Sequence, residues 1–163
     1  MYHIRRKEKE ITEVDVLKKI LKSAKFMTIA LSMKDQPYLV TLDYGYDENR
    51  GMIYFHCADE GKKLDYLEAN ATVWGQVMLD YGYVEGECNH LFATVHFQGK
   101  VTLLQDAKEK RKALECMIRQ LDKSPEPLLA KTSKIDVDRL KRTVIGRIDV
   151  SYMSGKKSSE VTI

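Results

Sequence analysis

The residues best suited to chemistry lie in one stretch, Met52 to Asn70, where His56 and Cys57 precede Asp59, Gly61, Lys62 and Lys63. A glycine allows close approach of the backbone to a ligand, and two lysines at the start of a helix oppose its dipole unless an anion sits there. An anion at that place would collect the free amides of the first turn together with both ammonium groups, so the stretch reads as a phosphate site. His56, a few residues upstream, would lie beside whatever the phosphate belongs to, and an imidazole there can move a proton near neutral pH. Without that context a lone histidine at a strand end reads as a structural residue.

The elements that must position these groups follow from periodicity. Met52, Tyr54 and His56 alternate with Ile53, Phe55 and Cys57, the pattern of a strand. Asp59 is the expected N-cap, and Leu64 and Leu67 mark the apolar stripe of a helix ending near Asn70. Upstream, Val14, Leu17, Ile20, Leu21 and Ala24 have helical spacing, Phe26–Ser32 is an apolar run of strand length, and Lys34–Pro37 is a turn. Tyr38–Tyr46 is the next strand, with Asp47–Gly51 as a hairpin loop, so the three strands form a meander.

Ala71–Asp80 reads as a strand, Tyr81–His90 as a loop with two glycines, and Leu91–Leu104 as an alternating strand. In the last, Ala93, Val95, Phe97, Gly99, Val101 and Leu103 form one face, with Thr94, His96, Gln98, Lys100 and Thr102 on the other. Asp106 caps a helix that ends before Ser124–Pro127, a short helix falls near Val137–Lys141, and Thr143–Val150 returns to strand. Ser154–Ile163 reads as a frayed tail. About six strands and three main helices, joined mostly by short turns, point to an antiparallel sheet or barrel with helices outside rather than a doubly wound parallel sheet.

Composition bounds the function. The chain has 163 residues, 44% hydrophobic and 31% charged, which suits one domain, residues 1–163, with an N-terminal arm over residues 1–10. A net charge of +3, with basic and acidic residues interleaved, argues against nucleic acid as a partner. Cys57, Cys88 and Cys116 are too scattered for a disulfide framework, so a reducing cytoplasm is expected. No apolar run approaches the eighteen or so residues of a membrane span, and the charged N-terminus is not a secretory signal. Cys57, Cys88, His56 and His90 lack metal-site spacing, so no metal is expected. Trp74 and Tyr81 are candidates for stacking on a planar ring, and the face bearing His96 borders a cofactor, a subunit interface or solvent. The usual nucleotide-binding and Ser-His-Asp signatures are absent.

Five segments in this order resemble the pyridoxamine 5′-phosphate oxidase-related, FMN-binding split-barrel proteins, and most closely their nitroimidazole-resistance branch. They are Arg5–Ile11, Pro37–Tyr46, Ile53–Leu67, Phe92–Val101 and Ile145–Lys156, together spanning almost the whole chain. The resemblance implies a mainly β (α+β) fold, a six-stranded antiparallel split barrel with flanking helices that forms a homodimer with FMN at the subunit interface. It places Leu39, Val40, Thr41 and Leu42 along the isoalloxazine ring and His56, Cys57 and Ala58 further along the groove. Lys62 and Lys63 hold the phosphate, Thr94 makes a polar contact to the flavin, and His56 is the catalytic residue. The implied function is an FMN-dependent oxidoreductase acting on small nitroaromatic or quinone-type molecules. A non-catalytic flavin-storage dimer or a haem-binding split barrel are the alternatives, as is a deazaflavin in place of FMN. The arginine-rich substrate site of the phosphate oxidase itself has no counterpart around Arg142 and Arg147, which argues against that substrate.

Overall fold

The structure, a computed structural model, describes residues 4–163, so the first three residues of the expected arm lie outside the described residues. A short 3₁₀ turn, Lys7–Lys9, leads to α1 (Val14–Ser23), whose Leu17, Ile20 and Leu21 are buried as their spacing predicts. Strands β1 (Phe26–Met33) and β2 (Gln36–Asp43) form a two-residue hairpin. Lys34 and Asp35 both have positive φ, 50° and 60°, the turn geometry whose twist matches that of paired strands.

The expected single strand over 38–46 is broken at Tyr44. Residues beyond it form β3 (Gly45–Asp47), which pairs with β4 (Met52–Cys57) and not with β1. The predicted meander is therefore two hairpins whose strands sit at opposite edges of one sheet, in the order β2-β1-β5-β6-β7-β4-β3. Packing enforces the break. A Cβ on Gly45 would fall 2.6 Å from the backbone nitrogen of Met117, so the bare backbone of β3 is drawn onto helix α3 (Ala107–Leu121). Tyr44 is fully buried and donates its hydroxyl to the carbonyl of Leu21.

Among the described residues seven strands, not six, make the sheet. Because edge strands β2 and β3 are separated by Tyr44 alone, the sheet must roll until its edges meet, yet no ladder joins β2 to β4 and the roll stays open. Strand β5 (Thr72–Val84) and strand β6 (Asn89–Leu103) extend through most of the expected 81–90 loop, leaving a four-residue turn. Alternation fails to show this because the pairing slips between Asp80 and Tyr83, where Gly82 takes φ 96°. Strand β7 (Val144–Lys157) runs past the expected strand end, and Ser158 and Val161 are buried beyond it, so the C-terminus is not frayed.

The roll encloses one apolar core containing Met27, Ile29, Phe55, Val95 and Phe97. A second cluster, Tyr54, Leu104, Ala113, Met117 and Ile145, packs α3 on the outside. Asp106 caps α3 as predicted, accepting from the amide of Glu109 at 2.8 Å. Gln120 of α3 ties the layers together, accepting from the Tyr46 amide at 2.8 Å and donating to the carbonyls of Leu21 and Ala24. Helix α4 (Glu126–Ser133) is absent from the sequence reading because Pro127 looks like a breaker, whereas proline in a first turn forfeits no helical hydrogen bond. Helix α5 (Val137–Arg142) follows, its last carbonyls held by the buried Lys110 ammonium at 2.8 to 3.0 Å.

Candidate functional site

Two unpaired edges face one another. Strand β2 is an edge strand, so the far side of residues 36–43 carries N–H and C=O groups without ladder partners. Strand β3 covers β4 only over Met52–Tyr54, which leaves the outer edge of Phe55, His56 and Cys57 open as well. Cα atoms of β2 and β4 come within 8 Å. The seam between them, referred to below as the slot, carries main-chain donors and acceptors without ladder partners.

Alternation sorts the side chains of the slot. Tyr38, Val40 and Leu42 turn inward and pack on the core, while Leu39 and Thr41 are exposed on the outer face. On β4, Phe55 and Cys57 turn inward and His56 outward, where it is exposed. His56 and Cys57 thus flank the slot from opposite faces. Ala58 is exposed at the start of the connecting loop.

Helix α2 (Lys62–Ala69) closes one end. Its N-cap is Gly61, at φ 118°, and not the expected Asp59. A glycine N-cap supplies no side-chain acceptor; the Leu64 amide donates to the Gly61 carbonyl at 2.8 Å, which leaves the amides of Lys62 and Lys63 outside that bond. The two lysines diverge. Lys62 Nζ lies 4.5 Å from the centroid of the Tyr38 ring and 5.4 Å from that of Tyr66, and the two rings are 5.3 Å apart. Lys63 approaches Cys57, whose thiol pKa is pushed up by burial and pulled down to a lesser extent by the Lys63 ammonium. Tyr38 and Tyr66 thus stand together beside Lys62, a juxtaposition of residues distant in the chain that alternation does not show.

Thr94 does not join this group. It lies on β6, separated from β2 by β1 and β5, and its hydroxyl donates to the carbonyl of Val77 at 2.8 Å. The same oxygen accepts from the Gln76 amide at 3.2 Å. Although placed on the polar face by alternation, Thr94 is buried, and Leu103 of the opposite set is partly exposed. His96 and Trp74 stand on the outer face of the sheet. Burial, and then the charge of Lys156, push the His96 pKa below its usual value.

A concavity of about 510 Å³ that begins at the α2 N-cap, Gly61, is lined by Asp59, Glu60, Asp65 and Glu68 over Leu64 and Val101. Its carboxylates disfavour a phosphate, whereas on the Cys57 side of the same helix start stands the Lys63 ammonium. Among the described residues no three His, Cys, Asp or Glu side chains cluster as a metal site, and no helix is long and apolar enough to cross a membrane.

The geometry can be set against known proteins. Flavocytochrome Anf3 from Azotobacter vinelandii superposes with a TM-score of 0.80 at 17% identity, over 99% of this chain and 75% of that one. A candidate 5-nitroimidazole antibiotic resistance protein from Bacteroides thetaiotaomicron gives 0.75 at 22% identity, over 90% and 85%. A FAD-binding protein from Mesorhizobium loti gives 0.64 at 21% identity, over 90% and 96%. At these identities the likeness is one of fold. Curated protein sequences contain no match. The profile described as pyridoxamine 5′-phosphate oxidase matches residues 13–157, from the start of α1 to the end of β7. The chain belongs to the pyridoxamine 5′-phosphate oxidase-related family of split-barrel proteins.

Proposed function

We propose that the protein is a homodimeric FMN-dependent oxidoreductase of small nitroaromatic or quinone-type molecules. The observation that carries this reading is the slot between the unpaired edges of β2 and β4, closed by the uncapped, lysine-bearing start of α2. Its parts fit FMN. Main-chain groups of Leu39 to Leu42 can meet the edge of the isoalloxazine ring, and Lys63 with the α2 amides can hold the phosphate. Lys62 braces β2 through Tyr38 and adds positive potential.

When bound, FMN supplies the electron transfer, and the chain supplies binding, orientation and proton delivery. His56 is exposed on the outer side of the slot, where its imidazole can donate a proton to a substrate gaining electrons. Cys57 and Ala58 line the passage from slot to phosphate end. Flavin is named in the Mesorhizobium loti FAD-binding protein and implied in the Azotobacter flavocytochrome, both of which share this fold.

Absorbance of the purified protein after addition of FMN tests the reading: flavin bands should remain with the protein through gel filtration. A protein that stays colourless overturns it, and a Soret band after addition of haem, with no flavin retained, assigns the groove to haem instead. Turnover of a nitroaromatic by wild-type protein, with a chemical electron donor, separates an enzyme from a flavin store.

A further inference from the structure

A ligand held at the start of α2 meets a different neighbour on each side. Toward β2 the Lys62 ammonium is set against the Tyr38 and Tyr66 rings, and toward Cys57 stands Lys63. A third side opens at Gly61 into the concavity of about 510 Å³ that continues along the helix, and this is the room into which a longer ligand would grow. We infer that the carboxylates of this concavity set the length of flavin that the protein accepts, admitting FMN and turning away FAD. This inference rests on the proposed placement of the FMN phosphate at the α2 start.

Size does not decide the matter. At about 510 Å³ the concavity falls within the roughly 300–1,000 Å³ of ordinary ligand pockets. Leu64, Val101 and Leu103 give it an apolar floor of the kind that suits a flat adenine ring. An FAD-binding protein from Mesorhizobium loti shares the fold, so the choice between the two flavins lies in side chains and not in the architecture.

Charge decides it. Asp59 and Glu60 stand at the mouth beside Gly61, and Asp65 and Glu68 follow along α2. Among the described residues none of these four carboxylates is paired with a cation, and no lysine, arginine or histidine lines the hollow. FMN ends in a phosphate monoester, which carries about −1.5 to −2 charges at pH 7 and holds all of them where Lys63 stands. FAD spreads its charge over two phosphates, and the second, with the ribose and adenine, has to pass Asp59 and Glu60. There it meets like charge with no ammonium to offset it.

Calorimetric titration of the purified protein with FMN and with FAD tests the inference. Wild type should bind FMN about tenfold or more tighter than FAD, the effect of one like-charge contact near a protein surface. The double variant Asp65→Asn/Glu68→Gln alters only the far part of the concavity. It should tighten FAD by about threefold to tenfold while FMN affinity stays unchanged, which also shows the fold to be intact. Asp59→Asn/Glu60→Gln, at the mouth, should narrow the FMN-to-FAD ratio further. Raising the ionic strength from about 0.01 M to about 1 M shortens the screening length from about 30 Å to about 3 Å and should narrow the wild-type ratio as well. Wild-type protein that binds FAD as tightly as FMN overturns the inference, as does a ratio that neither double variant moves, since shape and not charge would then exclude FAD. Protein that binds neither flavin sinks the underlying functional reading and the inference with it, and FMN is titrated first so that this failure is told apart from the others.

Discussion

The ammonium of Lys62 sits 4.5 Å from the centroid of the Tyr38 ring, tying the first turn of α2 to the open edge strand β2. Its neighbour Lys63 turns instead toward Cys57. Adjacent lysines thus take different partners, the Tyr38 ring for one and the Cys57 thiol for the other.

With FMN placed as proposed, removing the charge of Lys63 should cost more affinity than removing that of Lys62. A hydrogen bond to a charged group contributes about 1.5–3 kcal/mol, so Lys63→Met should raise the FMN dissociation constant by roughly 10- to 100-fold. Lys62→Met should lose an exposed cation–π contact worth about 0.5–1 kcal/mol and shift affinity less than tenfold. Quenching of flavin fluorescence on titration measures both, and the opposite ranking would reverse the assignment.

His56 is exposed and on the outer side of the slot, so its replacement should spare folding and flavin retention. His56→Ala should leave the thermal midpoint nearly unchanged while lowering the turnover of a nitroaromatic by about 10²- to 10⁴-fold, the usual contribution of a general acid. Stopped-flow reoxidation of reduced protein by the substrate is the decisive measurement; an unchanged rate removes His56 from the chemistry.

Gly45 is where the chain leaves one edge of the sheet for the other. Gly45→Ala places a methyl against the α3 backbone, 2.6 Å from the nitrogen of Met117, and a helix backbone cannot step aside as a side-chain tip can. Overpacking of this kind costs about 1–3 kcal/mol, which a urea unfolding midpoint will register. Gly86→Ala, with open space around it, is the comparison for a positive-φ position without a steric neighbour.

His96 carries a pH dependence whose sign follows from its burial. Its folded pKa lies below the ordinary 6.5, so at intermediate pH the unfolded chain binds the proton and the folded chain does not. Stability is fully present above the unfolded value and falls as pH drops toward the folded one. The thermal midpoint should decrease on going from about pH 7.5 to about pH 5.5, and His96→Asn should flatten that decrease. A slope unaltered by the substitution assigns the effect to another group.

Much of this protein is determined by the order of its residues alone. Alternation in β4 and β6, the helical spacing of α1 and α3, and the Asp106 cap are local signals, and local physics reads them correctly. The stretch His56 to Lys63 could be singled out for the same reason, since a glycine and two lysines opening a helix are neighbours in the chain. Tertiary structure decided the rest. Only packing of Gly45 on α3 breaks the strand at Tyr44 and sends β2 and β3 to opposite edges, and that break creates the slot. Alternation could sort the residues of each strand onto faces, but it could not tell that Thr94 lies three strands from Leu39 while Tyr66 lies beside Tyr38. Which strands become neighbours depends on contacts far apart in the chain, and it is those contacts that separate the two lysines, one onto Tyr38 and the other toward Cys57.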